Sequence, residues 1–127
     1  MIPHTGTARF LTDVIRRDGK SVDAVGRIPA AHPAVSGGRA PAFLGIELGA
    51  QAAAAIVDSS GQPRAAVLHS LARIREAAFS VDDLPPDHDL FVTAELDASA
   101  PPIAIYRIRV TLDGAEVVTA TISVHQI

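Results

Sequence analysis

Ala40-Pro41-Ala42-Phe43-Leu44-Gly45-Ile46-Glu47-Leu48-Gly49-Ala50-Gln51-Ala52-Ala53-Ala54-Ala55-Ile56-Val57 is the stretch on which the fold turns. Pro41 stands where a first helical turn tolerates a missing N–H, and residues 42–57 carry no further proline. The segment is apolar on nearly every side, with a narrow waist of alanines at 50 and 52–55. A helix of that kind must be enclosed rather than laid on a surface. The spacing predicts the one long helix of the chain over residues 42–57. Pro41, Glu47 and Gln51 interrupt it too much for the run of roughly 18–20 apolar residues that spans a bilayer, so no membrane insertion is expected.

Working outward, residues 29–41 hold three prolines and two glycines, a long loop of the sort that carries function. Before it, residues 21–28 read as a strand with Val22, Ala24, Gly26 and Ile28 on one face, following an Asp18-Gly19 turn. Phe10, Leu11, Val14 and Ile15 fall at helix-compatible spacing, yet the β-branched pair also permits a helical turn running into a strand. Downstream the pattern has period two. Residues 67–78 read as a strand with Leu68, Ser70, Ala72 and Ile74 on one face, and residues 90–96 as another. Residues 103–112 alternate Ala104, Tyr106, Ile108, Val110 and Leu112 against Ile105, Arg107, Arg109 and Thr111. Residues 84–87 read as a turn and residues 98–102 as a loop. Asp113-Gly114 is a hairpin signal, and residues 116–124 return as the last strand. One enclosed helix wrapped by a curved antiparallel sheet is an α+β arrangement.

With 127 residues, 48% of them hydrophobic and 20% charged, the chain is sized for a single globular domain, residues 1–127. A chain this small gains from oligomerisation as a source of extra burial. The net charge of −3 argues against a nucleic-acid binder. The absence of cysteine removes disulfides, thiolate metal sites and cysteine nucleophiles. The opening Met1-Ile2-Pro3-His4-Thr5-Gly6 lacks the basic and apolar regions of a signal peptide, so a cytoplasmic location is expected.

Glu47 is the one charged residue of the predicted helix. A buried carboxylate is either paired or shifted toward a neutral acid, the form that general acid catalysis needs. Alternatively it lies on a narrow solvated stripe, or is bonded by Gln51 one turn on. His32, in the Pro/Gly-rich loop, is the natural base by its near-neutral titration range, or else an ordinary loop histidine. His4 is the alternative base. His69, His88 and His125 are scattered, and no two histidines have close metal-ligand spacing, so no metal is expected. Phosphate-loop and dinucleotide glycine patterns are missing, and Ser36-Gly37-Gly38 lacks the context of a nucleophile elbow.

Leu44-Gly45-Ile46-Glu47-Leu48-Gly49-Ala50-Gln51-Ala52 resembles the central-helix signature of hotdog-fold 3-hydroxyacyl-(acyl-carrier-protein) dehydratases, a catalytic acid followed by x-x-Ala-Gln. Ile2-Pro3-His4 with Phe10-Leu11-Thr12-Asp13-Val14 is similar to that family's Leu-Pro-His…Leu-Val-Asp-Arg-Val opening. Ala40-Pro41-Ala42-Phe43-Leu44-Gly45-Ile46-Glu47 looks closest to the subgroup found in aryl-polyene biosynthetic clusters. By this resemblance Glu47 matches the helix acid and His32 the loop histidine. Pro41-Ala42 takes the Pro-Gly register, and His32-Pro33-Ala34-Val35 stands in place of His-Phe-Pro-Gly, in a loop one residue longer.

The resemblance implies a hotdog fold and loss of water from a 3-hydroxyacyl thioester to give the trans-2-enoyl thioester. His32 would be the base, Glu47 the acid, and the amides around Ala42 and Phe43 the donors to the thioester oxygen, with substrate contacts at Pro41, Ala42, Phe43 and Gln51. No cofactor is implied beyond the phosphopantetheine of the acyl carrier protein that brings the substrate. The histidine and acid facing each other would come from two subunits of a homodimer or larger oligomer, with a heterodimer with another hotdog subunit as a variant. Arg39, Arg64, Arg73 and Arg75 are candidates for docking the acidic carrier. Two other readings stay open: a hotdog thioesterase, because one fold hosts both chemistries, and a non-catalytic partner subunit of a heteromeric dehydratase.

Overall fold

The computed structural model describes residues 9–56 and 72–125. In chain order the elements are β1 (Leu11–Arg17), β2 (Ser21–Gly26), β3 (Ala40–Pro41), α1 (Leu44–Ala53), β4 (Ala72–Phe79), β5 (Asp83–Leu84), β6 (Leu90–Ala100), β7 (Ile103–Leu112) and β8 (Ala115–His125). Among the described residues, six strands form one antiparallel sheet in the order β1-β2-β6-β7-β8-β4, while β3 pairs with β5 separately. The helix packs against β1, β2, β6, β7 and β8.

Side-chain alternation places the core. On β7, Ala104, Tyr106, Ile108 and Val110 are buried while Arg107 and Arg109 are exposed. Val22 and Ala24 of β2, Val92 and Ala94 of β6, and Val118, Ala120, Ile122 and Val124 of β8 join them, with Leu44, Ile46, Leu48 and Ala52 of α1. Full burial of a residue such as Leu48 is worth about 1.5–3 kcal/mol. Two glycines let the helix come close. A Cβ on Gly45 would sit 3.1 Å from Val118 Cγ2, and one on Gly49 would meet Ile108 Cδ1 at 2.7 Å and Cγ1 at 2.9 Å. The Asp113-Gly114 hairpin forms as expected, both residues at positive φ (49° and 85°), the geometry of a two-residue turn matched to strand twist.

Four expectations need correction. The helix is regular only over Leu44–Ala53, not residues 42–57. Pro41 stays in β3, opposite Asp83, and the Ala42 N–H donates to the Asp82 carbonyl at 3.0 Å. The chain turns through tight bonds from Gly45 N to Ala42 O and from Ile46 N to Phe43 O before the α pattern begins. At the far end Ala55 and Ile56 make similar tight turns, and Val57 lies outside the described residues. The N-terminal element is a strand from Leu11, with no helical turn in its described part, because pairing with β2 satisfies its backbone. β6 continues through Ala100 against Ile103, so the loop foreseen at residues 98–102 shrinks to Pro101-Pro102. Ile74 of β4 is not in the core: it is 58% exposed, since β4 is an outer strand whose residues 73–79 are exposed on both faces. Leu68 and Ser70 lie outside the described residues.

Candidate active site

The loop after β2 folds on itself around His32. The His32 N–H donates to the Pro29 carbonyl at 3.0 Å, and the His32 carbonyl accepts the Val35 N–H at 2.9 Å. The Ala34 N–H donates to His32 Nδ1 at 3.0 Å, a side-chain-to-backbone turn of the kind Asx residues make. The ring meets the edge of Phe10 with centroids 5.4 Å apart and planes at 62°, a favoured aromatic geometry. His32 is thus half-buried and held on two sides.

Phe10 is fixed in turn by the helix. Gln51 Oε1 accepts the N–H of Phe10 at 2.8 Å and that of Leu11 at 3.1 Å, and the Phe10 carbonyl accepts the Arg27 N–H at 2.8 Å. The residue expected to contact substrate, Gln51, therefore clamps the start of β1 onto α1. This clamp and the role of Phe10 were not visible in spacing, since they join residues 40 and 41 positions apart.

Glu47 lies in the first turn of α1, where a carboxylate is favoured by the helix dipole. It is exposed, so within one chain it occupies the solvated stripe and is not a buried acid. His32 and Glu47 line one cavity of about 400 Å³. Its other walls are apolar: buried Phe10, Leu44 and Ile46, and at the open side Phe43 and Ile74, 56% and 58% exposed. A single chain supplies both candidate acid–base groups to the same space.

The remaining expected site residues divide. Phe43 lines the cavity, while Pro41, Ala42 and Gln51 do not. The Ala42 amide, expected to hold a thioester oxygen, is spent on Asp82. His4, His69 and Arg64 lie outside the described residues. Arg39 is paired with Asp83 at 3.4 Å, and Arg73 and Arg75 are exposed on β4. A second depression of about 430 Å³ surrounds Arg27, His88 and Asp113. Its charges pair among themselves, Arg27 with Asp89, which raises the guanidinium pKa, and His88 Nε2 with Asp113 at 3.1 Å. Among the described residues there is no group of three or more His, Cys, Asp or Glu placed to hold a metal, and no helix long and apolar enough to cross a membrane.

A helix against a six-stranded antiparallel sheet, with a histidine and a carboxylate in one apolar cavity, defines a hotdog-fold protein. The chain is similar to the dehydratase heterocomplex ApeI:P from Xenorhabdus doucetiae, with 17% identity, a TM-score of 0.71, and coverage of 99% of this chain and 88% of that chain. It is also similar to a hypothetical thioesterase with coenzyme A from Streptococcus pneumoniae TIGR4, with 12% identity, a TM-score of 0.60 and coverage of 91% and 84%. The PaaI protein from the phenylacetic acid degradation operon of E. coli has 19% identity, a TM-score of 0.61 and coverage of 90% and 82%. At such identities the likeness establishes the hotdog fold. The chain belongs to the ApeP-like family, described as ApeP dehydratase, which matches residues 1–127. No curated protein matches it.

Proposed function

We propose that this protein removes water from a 3-hydroxyacyl thioester, presented on the phosphopantetheine of an acyl carrier protein, to give the trans-2-enoyl thioester. The observation that carries this reading is the meeting of His32 and Glu47 in one apolar cavity of a chain of the dehydratase family. Elimination needs a C2 proton removed and the departing hydroxyl protonated, and this pair is what the cavity offers for proton transfer. The apolar walls suit an acyl chain, and neither a resident metal nor a redox group enters the scheme. A cytoplasmic setting fits the carrier-bound substrate.

The exposed rim, Phe43 and Ile74, favours a cavity completed by a second hotdog subunit. The similar ApeI:P structure is a heterocomplex, so that subunit is either another copy or a different hotdog chain. Incubation with a 3-hydroxyacyl carrier-protein thioester, read by mass spectrometry, tests the reaction: loss of water supports it, and release of the free acid replaces it with a thioesterase. Glu47→Gln keeps shape and hydrogen bonding but cannot carry a proton. Turnover is expected to fall by about 10²–10⁴-fold with the fold unchanged by circular dichroism. Full activity in Glu47→Gln would reject the catalytic reading. A wild type that is inert alone but restores another subunit would make this chain the partner.

A further inference from the structure

Resting on the dehydratase reading, the geometry points to Phe10 as a positioning residue for His32, held to that task by Gln51 of the helix. His32 stands in a loop fixed near its two ends. The Ala30 N–H donates to Asp87 Oδ1 at 3.2 Å, and Ala40 and Pro41 pair with Leu84 and Asp83. The hydrogen bonds of His32 run to Pro29, Ala34 and Val35, so they fix the ring to its own loop. Phe10 ties that ring to the core, through an edge contact with centroids 5.4 Å apart.

Phe10 can do this because its own place is fixed from several sides. It is 1% exposed. Its N–H donates to Gln51 Oε1 at 2.8 Å, and its carbonyl accepts the Arg27 N–H at 2.8 Å. Gly26 leaves room for that carbonyl: a Cβ there would sit 2.8 Å from the Phe10 oxygen, closer than packed atoms approach. Gln51 follows Glu47 by one turn of the same helix. The helix thus carries the candidate acid directly and holds the candidate base through a side-chain amide and a ring.

Proton transfer depends on where the base stands, and a misplacement of about 1 Å can cost about 10²-fold. An imidazole free to swing with its loop would leave hydrogen-bond reach of the C2 proton. Gln51 therefore serves the reaction without lining the cavity. Phe10, which does line it, serves through His32 and not as a wall alone.

The test separates the contact from the reaction. In histidine-labelled protein, the carbon-bound ring protons of His32 are assigned by NMR through their loss in His32→Gln. Their chemical shifts carry the ring current of Phe10, so they change in Phe10→Leu. They are expected to move also in Gln51→Leu, which alters neither ring, and to stay in place in Gln51→Glu, which keeps an oxygen for the two amides. Unmoved signals in Gln51→Leu, or equal movement in both Gln51 variants, would overturn the proposal whether or not the protein turns over. With a 3-hydroxyacyl carrier-protein thioester, kcat is expected to fall about 10²-fold in Phe10→Leu and in Gln51→Leu, with KM little changed. The double variant should be no slower than the slower single one, because both act through one contact. Wild-type kcat in Phe10→Leu, a loss carried by KM, or losses that multiply would each overturn the proposal. If Gln51→Leu fails to fold by circular dichroism, the kcat and KM of Phe10→Leu decide in its place. An inert wild type would sink the dehydratase reading, and the ring-proton shifts would then decide the positioning by themselves.

Discussion

Asp18 shows how one carboxylate organises a turn at the scale of single residues. Its Oδ1 accepts the N–H of Lys20 at 2.7 Å and that of Ser21 at 2.8 Å, closing the connection between β1 and β2. These bonds, Lys20 first and Ser21 next, with Arg16 adding attraction, hold its pKa below the ordinary carboxylate value. A folded pKa below the unfolded one stabilises the protein above the unfolded value, and that stability is lost as pH falls through the folded pKa. Thermal melts should therefore show Asp18→Ala less stable than wild type at pH 7, with the gap closing in strong acid. A gap that widened in acid would contradict this assignment. The sequence reading marked Asp18-Gly19 as a turn because this residue pair has that chemistry. It could not mark Phe10 as a wall of the site, because ring contact with His32 depends on how two distant segments pack.

At the scale of elements, the approach of α1 to the sheet is set by glycine. Alanine at position 49 would gain about 1 kcal/mol of helix propensity. Its Cβ would meet three carbons of Ile108, a fully buried residue of β7, and overpacking costs about 1–3 kcal/mol. Urea titration should find Gly49→Ala destabilised, and Ile108→Val should cost less in that background than in wild type. Strict additivity would show that the helix shifts to make room. The inner strands were legible as elements because both sheet faces impose period two on them. The helix ends were not: Pro41 suits a helix start and an edge strand equally, and pairing with Asp83 decided for the strand. β4 misled for a related reason. Its alternation reads as half-buried, but it is an outer strand with Ile74 and Phe79 exposed.

At the scale of the whole molecule, β4 is the last strand of the sheet among the described residues and carries exposed apolar side chains, the combination that invites another chain. Ile74 also borders the cavity, so a second hotdog subunit seated there would cover the rim. Sedimentation of the wild type at micromolar concentration is expected to give a dimer, and Ile74→Lys, a charge of the kind that protects natural edges, a monomer. A monomeric wild type would place subunit contact elsewhere or require a different partner chain. Carrier docking is expected to rely on Arg73 and Arg75 more than on Arg39, which is already paired with Asp83. The clamp from Gln51 to Phe10 and Leu11 has a consequence in time as well as in space. An outer strand such as β1 ordinarily frays and exchanges its amide protons quickly. With the amides of Phe10 and Leu11 tied to the Gln51 side chain on α1, the start of β1 opens only when both bonds break, so hydrogen exchange there is expected to be slower than at the strand's far end.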